Sequence, residues 1–106
     1  EIMIKVISLM KRKEGMSIEE FRRWVFEEHS QLGAQFPKIR HYRVSAALPD
    51  YAEGPYDTAN ELYFDTYEDF IAALQSDIGA QAGADIKAHC AEDRFRLVTD
   101  EKIIVD

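Results

Sequence analysis

The sequence has 106 residues, which suits one domain with a single core. It is 46% hydrophobic and 31% charged, a composition typical of a globular protein. The formal net charge of −7, from 20 acidic and 13 basic residues, disfavours a nucleic-acid partner because a polyanion would be repelled. We therefore expect one domain over residues 1–106 and no binding to nucleic acid.

Cysteine content and hydropathy indicate the compartment. Cys90 is the single cysteine of the sequence, so an intrachain disulfide is ruled out and nothing requires an oxidising environment. No apolar run approaches the roughly 18 residues that cross a bilayer. The apolar segment 2–10 contains Lys5 and lacks the cleavage pattern of a signal peptide. These features predict a cytoplasmic protein without membrane contact.

The first half of the chain predicts a strand, a long helix and a second strand. Residues 2–10 (IMIKVISLM) are mostly β-branched or apolar, as in a central strand covered on both faces. Ser17 and Glu20 form a capping box that begins a helix, which Gly33 should end. Spacings of three and four give this helix one apolar stripe, made of Ile18, Phe21, Val25, His29, Leu32 and Phe36. Residues 38–48 (KIRHYRVSAAL) alternate as in a strand.

The second half of the chain predicts a loop, two strands and two helices. Residues 49–58 contain two prolines and a glycine and form a loop long enough to be functional. Residues 59–65 (ANELYFD) predict a third strand, and residues 66–74 a capped helix. Residues 76–91 are alanine-rich and predict a looser helix, and residues 95–99 a last strand.

The order β-α-β-β-α-β is that of ferredoxin-like α+β domains, with an antiparallel four-stranded sheet and the helices on one face. The strands are nevertheless apolar on both sets of alternating positions, for example at Ile4 and Val6 on one face and at Ile7 and Leu9 on the other. Because so short a chain has nothing to cover the second face, we expect a two-fold homodimer.

His29 and Tyr42 are the candidate catalytic residues. An imidazole in an apolar stripe must be hydrogen-bonded or have space around it, so His29 is either a satisfied core histidine or an acid/base group in a pocket. Tyr42 is either a packing residue or, if its face of the strand turns towards the first helix, a phenol that meets His29. The apolar wall of such a substrate pocket would consist of Phe21, Val25, Leu62 and Phe95.

Other chemistry-bearing residues carry less information. Glu61 is either exposed at an edge or a buried carboxylate with a raised pKa. His89 and Cys90 have no further Cys or His at ligand spacing, so we predict no metal site. No phosphate-binding loop, dinucleotide fingerprint or nucleophile elbow is found in the sequence, and we predict no bound cofactor.

Several segments resemble the EthD family across nearly the whole chain. They are IKVISLMKRKEGMSIEEFRRW, the placement of His29 eight residues after Phe21, the stretch from Pro37 to Tyr42, and NELYFDTYEDFIAAL. The family's usual tryptophan stands four residues after the phenylalanine, whereas here Trp24 comes one position earlier. The resemblance implies a dimeric α+β barrel, in which two sheets pack face to face, and a pocket between sheet and helices that requires no metal or cofactor.

The resemblance also implies a function. EthD proteins are classed as oxidoreductases linked to the degradation of organic compounds. We therefore expect a cofactor-independent oxidoreductase, isomerase or lyase acting on a small apolar oxygenated compound, in a catabolic or biosynthetic pathway. The alternatives are a ligand-binding module without catalysis, a haem binder with His29 as axial ligand, and a methylmuconolactone isomerase. The isomerase is disfavoured because the loop 49–58 has no histidine and Leu62 stands where that group uses a cysteine.

Overall fold

The computed structural model describes residues 3–106. Its sheet contains four strands, and the part of the first predicted strand at residue 2 lies outside the described residues. The strands are β1 (Ile4–Met10), β2 (His41–Ala46), β3 (Thr58–Phe64) and β4 (Phe95–Asp100).

Three helical regions are present among residues 3–106, as the sequence predicts, and only the first differs in kind from the prediction. Helix α1 (Ile18–Arg23) continues as a π-helical segment (Trp24–His29) and then as α2 (Ser30–Gly33), where the sequence predicts one regular helix. Helices α3 (Tyr67–Gln75) and α4 (Asp77–His89) follow β3 directly, and a 3₁₀ turn (Pro49–Tyr51) lies in the long loop.

Serine and threonine side chains cap the longer helical stretches. Ser17 Oγ accepts a hydrogen bond from the Glu20 amide, as the capping box predicts. Thr66 caps α3, and Ser76 begins α4 by accepting from the amide of Gly79. Ser76 therefore separates two helices that otherwise run almost end to end.

The sheet is antiparallel, with strand order β2-β3-β1-β4, and confirms the ferredoxin-like α+β fold. Two adjacent rows of paired residues cross all four strands on the face that packs against the helices. The first row is Tyr42, Leu62, Val6 and Val98. The second is Val44, Asn60, Ser8 and Arg96. Strands β2 and β4 form the two edges of the sheet. Tyr42 and Arg96 therefore lie on the same face but at opposite edges.

The core fills the space between this face and the helices in two clusters. The first contains Val6, Phe36, Leu62, Phe64, Phe70, Ala73 and Ala82. The second contains Met10, Ile18, Phe21, Trp24, Val25, Ala52 and Cys90. A cavity lies between sheet and helices and is lined by members of both clusters.

No helix among residues 3–106 covers the opposite face of the sheet. Leu97 and Phe95 of β4 are 58% and 60% exposed there. Glu61 lies on the same face, where its carboxylate pairs with Nζ of Lys5 at 2.7 Å. It is therefore a partly exposed member of an ion pair and not an isolated buried carboxylate. Of the helices in this described part of the chain, none is long and apolar enough to span a membrane.

Candidate functional site

The π-helical segment brings Trp24 and His29 together. A π-helix joins residues i and i+5, so these two side chains lie one turn apart, with ring centroids separated by 4.9 Å. Their spacing of five would place them on different faces of a regular α-helix. The His29 ring is 4% exposed, and π-helical turns of this kind are frequent at functional sites.

Asp85 on α4 orients the His29 ring. Its Oδ2 lies 3.0 Å from Nδ1 of His29, and both its oxygens accept from Nε1 of Trp24 at 3.1 Å. The Asp85 carboxylate also lies 3.1 Å from Nδ1 of His89, whose ring stacks on Trp24 at 4.6 Å. Because the carboxylate accepts the Nδ1–H of His29, the lone pair of the neutral imidazole is on Nε2.

Burial keeps His29 neutral. Removal of the ring from water lowers the pKa of His29 below its ordinary value of 6.5, and this effect exceeds the opposing influence of Asp85. His29 is therefore unprotonated at neutral pH. Since the ring lines the cavity and Nδ1 is engaged by Asp85, Nε2 is the nitrogen that can accept a proton from a bound molecule.

Tyr42 faces the same cavity from β2. Its ring packs against Gly33, where an added Cβ would lie 2.6 Å from Cζ and 2.7 Å from the phenol oxygen of Tyr42. Glycine at this position permits the close approach of ring and helix. Burial raises the pKa of Tyr42 to about 12, so the phenol is protonated. None of residues 3–106 forms a hydrogen bond with this hydroxyl, which leaves it available to a ligand oxygen.

The cavity has a volume of about 70 Å³, enough for a few water molecules or part of a small organic molecule. Its wall is largely apolar, formed by Val6, Met10, Phe36, Leu62, Phe70, Leu74, Ala82 and Ile86. Polar groups are few and come from His29, Tyr42, Ser8, Asn60 and Arg96. An apolar cavity with a few placed polar groups is the usual form of a small-molecule site.

The cavity continues into an open depression of about 320 Å³ between α4 and β4. Ser8, Met10, Ile86 and Arg96 line both spaces. The outer part also contains Gly83, where an added Cβ would meet nothing within 4 Å, and Arg94. A ligand can therefore enter along this side of the sheet.

The residues predicted from the sequence occupy three environments. His29, Tyr42 and Leu62 line the cavity. Phe21 and Val25 are fully buried in the second core cluster, and the described lining of the cavity does not include them. Phe95 of edge strand β4 contributes to the lining of the depression, but strand alternation places its exposed side chain on the uncovered sheet face.

Other side chains at the site were not predicted. Ser8 and Asn60 are cross-strand partners. Each is a polar residue at a helix-facing position of a mostly apolar strand, so the alternation of the strand could have identified both as candidates. Asp85 has a weaker signal, its spacing of four from His89. Arg96 could be found only through the register of β4 with β1.

Cys90 is buried beside the site, and we also considered whether the described residues could hold a metal ion. Burial raises the pKa of the Cys90 thiol to about 12, and its Sγ lies 3.9 Å from Sδ of Met10, so this thiol is a packing group rather than a nucleophile. Within residues 3–106 no group of three or more His, Cys, Asp and Glu side chains is placed to hold a metal ion.

A family model for the EthD domain matches residues 13–93, which include the π-helical segment and Asp85. The chain belongs to the EthD family. The matched region contains Asp85 and the three rings that contact it, those of Trp24, His29 and His89. It ends just before β4, so Arg94 and Arg96 of this EthD protein lie outside it.

Solved structures show the same fold. An EthD family protein from Bacillus halodurans is 24% identical, with a TM-score of 0.77 over 94% of this chain and 99% of that one. A dimeric ferredoxin-like protein of unknown function from Thermobifida fusca is 24% identical, with a TM-score of 0.75 over 94% and 92%. The hydroxynitrile lyase of Passiflora edulis is 17% identical, with a TM-score of 0.72 over 98% and 97%. Comparison with curated proteins gives no significant match.

Proposed function

We propose that this EthD protein is an acid–base enzyme that moves a proton on a small apolar oxygenated compound, without a bound cofactor. The observation that carries the proposal is the pairing of a neutral, Asp85-oriented His29 with a protonated Tyr42 in one apolar cavity. Burial lowers the pKa of His29 and raises that of Tyr42, so both groups are neutral, the forms in which the imidazole can accept a proton and the phenol can donate a hydrogen bond.

The two groups divide the reaction between them. Nε2 of His29 accepts a proton from a carbon next to a carbonyl group, and the electron pair of the broken C–H bond moves onto the carbonyl oxygen. The Tyr42 hydroxyl donates a hydrogen bond to that oxygen as negative charge develops. Return of the proton to another carbon completes an isomerisation, whereas loss of a leaving group completes an elimination.

Asp85 serves as a positioning residue. It accepts the Nδ1–H of His29 and stabilises the imidazolium that forms when Nε2 takes up a proton. The indole N–H of Trp24 is donated to both oxygens, so the carboxylate cannot move away from His29 without losing that bond as well. The apolar walls exclude water and thereby strengthen both interactions.

Proteins of the same fold support an enzyme of this kind. One is named as a hydroxynitrile lyase, and another, from Nitrosomonas europaea, is described as a "putative antibiotic biosynthesis monooxygenase". We propose lyase or isomerase chemistry first because His29 and Tyr42 supply proton transfer directly. The oxidoreductase role in degradation stays a prediction, since it needs an electron acceptor such as dioxygen.

The protein is proposed to act as a homodimer through the uncovered sheet face. That face exposes apolar side chains of β4, and structural relatives from Thermobifida fusca and Bacteroides fragilis are described as dimeric. The cavity lies on the opposite side of the sheet, between sheet and helices, so each protomer would contain its own site.

A binding module without catalysis is the second candidate function. It is favoured by the small volume of the enclosed cavity, about 70 Å³, which suits the end of a ligand better than a whole substrate. The two functions differ in one respect. A binding module holds a ketone without exchanging its hydrogens, whereas the proposed enzyme labilises the hydrogens next to the carbonyl.

Deuterium exchange of cyclohexanone in D₂O, followed by ¹H NMR, tests the proposal. We expect the protein to accelerate exchange of the hydrogens next to the carbonyl, and Tyr42→Phe to reduce this rate about tenfold or more because a hydrogen bond to the developing enolate is lost. Tyr51→Phe is the matched control, since it removes the same hydroxyl from a tyrosine that is 75% exposed in the 3₁₀ turn and does not belong to the described lining of the cavity. Binding of cyclohexanone without accelerated exchange would instead establish the binding module.

A further inference from the structure

Two arginines flank the depression that leads into the cavity. Arg96 lines both spaces, and Arg94 lines the outer one. Neither guanidinium forms an ion pair or hydrogen bond with any of the residues 3–106, although Glu92 and Asp93 directly precede Arg94. The chain as a whole is negatively charged, with 20 acidic and 13 basic residues. The mouth of the cavity is locally positive by contrast, because two arginines line it.

The position of Arg96 is fixed by an aromatic contact. Its guanidinium carbon lies 5.0 Å from the centroid of the Phe70 ring, which is buried and itself lines the cavity. This cation–π contact holds the cation at the wall while its N–H donors stay free. A guanidinium held in this way is suited to bind a carboxylate, because less side-chain entropy is lost on binding.

The register of the sheet sets the separation between this cation and the candidate catalytic pair. Tyr42 is on edge strand β2 and Arg96 on edge strand β4, three strand spacings apart. At about 4.8 Å per spacing, and with Arg96 one row or about 6.8 Å further along the strands, their Cα atoms lie roughly 16 Å apart. Both side chains face the cavity, so a molecule of one ring can reach the phenol at one end and the guanidinium at the other.

We propose that the depression formed by Arg94, Arg96, Gly83 and Ile86 binds a carboxylate, and that the ligand of this protein is a small keto acid. Its oxygen function contacts His29 and Tyr42, while its acid group stays at the mouth. The inference rests on the proposed function for the position of the keto group. The carboxylate site itself depends only on the two arginines and the depression.

A matched pair of probes tests the charge preference. The keto acid 4-oxocyclohexane-1-carboxylate and its neutral carboxamide have almost the same shape, and their dissociation constants can be measured by ¹H–¹⁵N NMR titration. We expect the carboxylate to bind about tenfold more tightly than the carboxamide at low ionic strength, and the preference to shrink in 0.5 M NaCl. Equal affinity of the two probes would overturn the proposal.

Arginine variants locate the effect. Arg94→Gln and Arg96→Gln should each reduce carboxylate affinity about three- to tenfold and leave carboxamide affinity within twofold. Arg96→Lys keeps the charge and should retain part of the preference. Arg23→Gln is the control, since Arg23 is an exposed arginine of α1 and its loss changes the net charge equally. A loss of the same size in this control would overturn the proposal.

The outcomes separate the two levels of inference. Carboxylate binding that depends on Arg94 and Arg96, without deuterium exchange next to the ketone, would support the acid site and contradict the proposed enzyme. Exchange of both probes with equal affinity would support the enzyme and contradict the acid site. Failure of both probes to bind would contradict both.

Discussion

Asp85 Oδ2 lies 3.0 Å from Nδ1 of His29, although 56 residues separate them in the sequence. The contact joins α4 to the π-helical segment of the first helix and engages Nδ1, which leaves Nε2 as the basic nitrogen of the neutral ring. The same carboxylate accepts from Trp24, so the orientation of His29 depends on one acceptor that it shares with the indole ring. Loss of that acceptor should affect both the chemistry and the packing.

Asp85→Asn should lower the exchange rate of cyclohexanone about tenfold or more. A single amide oxygen cannot serve both Trp24 and His29, and an amide N–H facing Nδ1 favours the tautomer with the proton on Nε2. Loss of the carboxylate charge should also lower the pKa of His29 further, since Asp85 raises it. The measurement is the pH–rate profile. A reduced rate whose acid limb moves to lower pH supports positioning, whereas an unshifted limb would indicate a structural role only.

The stability of the protein should fall with decreasing pH because of His29. Its folded pKa is lowered by burial, so below about pH 6.5 the unfolded chain binds a proton that the folded one does not. The free energy of unfolding therefore decreases as pH falls from 6.5 towards the folded pKa. Urea denaturation between pH 7.5 and 5 measures this slope. His29→Gln should flatten it, because glutamine still donates to Asp85 and does not titrate; an unchanged slope would contradict the assignment.

Gly33→Ala and Gly83→Ala should change stability in opposite directions. At Gly33 a Cβ would lie 2.6 Å from the Tyr42 ring, so alanine should destabilise the fold by about 1–3 kcal/mol through overpacking. At Gly83 it would meet nothing, and alanine should stabilise α4 by roughly 0.5–1 kcal/mol. Chemical denaturation measures both. The Gly33→Ala cost should shrink in a Tyr42→Leu background, and equal costs in both backgrounds would place the clash elsewhere.

Leu97→Glu should convert the proposed dimer to a monomer. Leu97 is 58% exposed on the uncovered sheet face, opposite Ile7 of β1, and a buried carboxylate there would be unpaired. Sedimentation equilibrium gives the mass directly. Phe26→Glu is the control, because Phe26 is an exposed apolar residue, 41% accessible, on the π-helical segment. A monomeric wild-type protein at micromolar concentration would contradict the dimer.

Much of the fold could be predicted because its signals are local. Capping at Ser17 and Thr66 and the alternation of the strands identify each element from neighbouring residues. The π-helical segment could not be predicted in this way. The stripe that includes Val25 and His29 fits the period of a regular α-helix. That fit gives no indication that the ring of Trp24, five residues before His29, contacts the His29 ring.

The site could be predicted only in part because it is assembled by tertiary contacts. His29 was a candidate from its place in the apolar stripe and Tyr42 from its place in a strand, but that Tyr42 faces the helices is known only from the structure. Asp85 lies in an alanine-rich helix whose orientation depends on packing against Trp24. Phe21 and Val25 share the stripe of His29, yet both are fully buried in the second core cluster and do not belong to the described lining of the cavity.

The ratio of cyclohexanone exchange rates between wild-type protein and His29→Gln at pH 7.5 tests the central claim most directly. His29 supplies the base, and the glutamine side chain in the variant retains a donor to Asp85 without a basic nitrogen, so the fold should persist while proton transfer is lost. We predict a ratio of about 10² or more, the usual contribution of a general base. A ratio near one, with both proteins folded and binding cyclohexanone equally, would contradict the account.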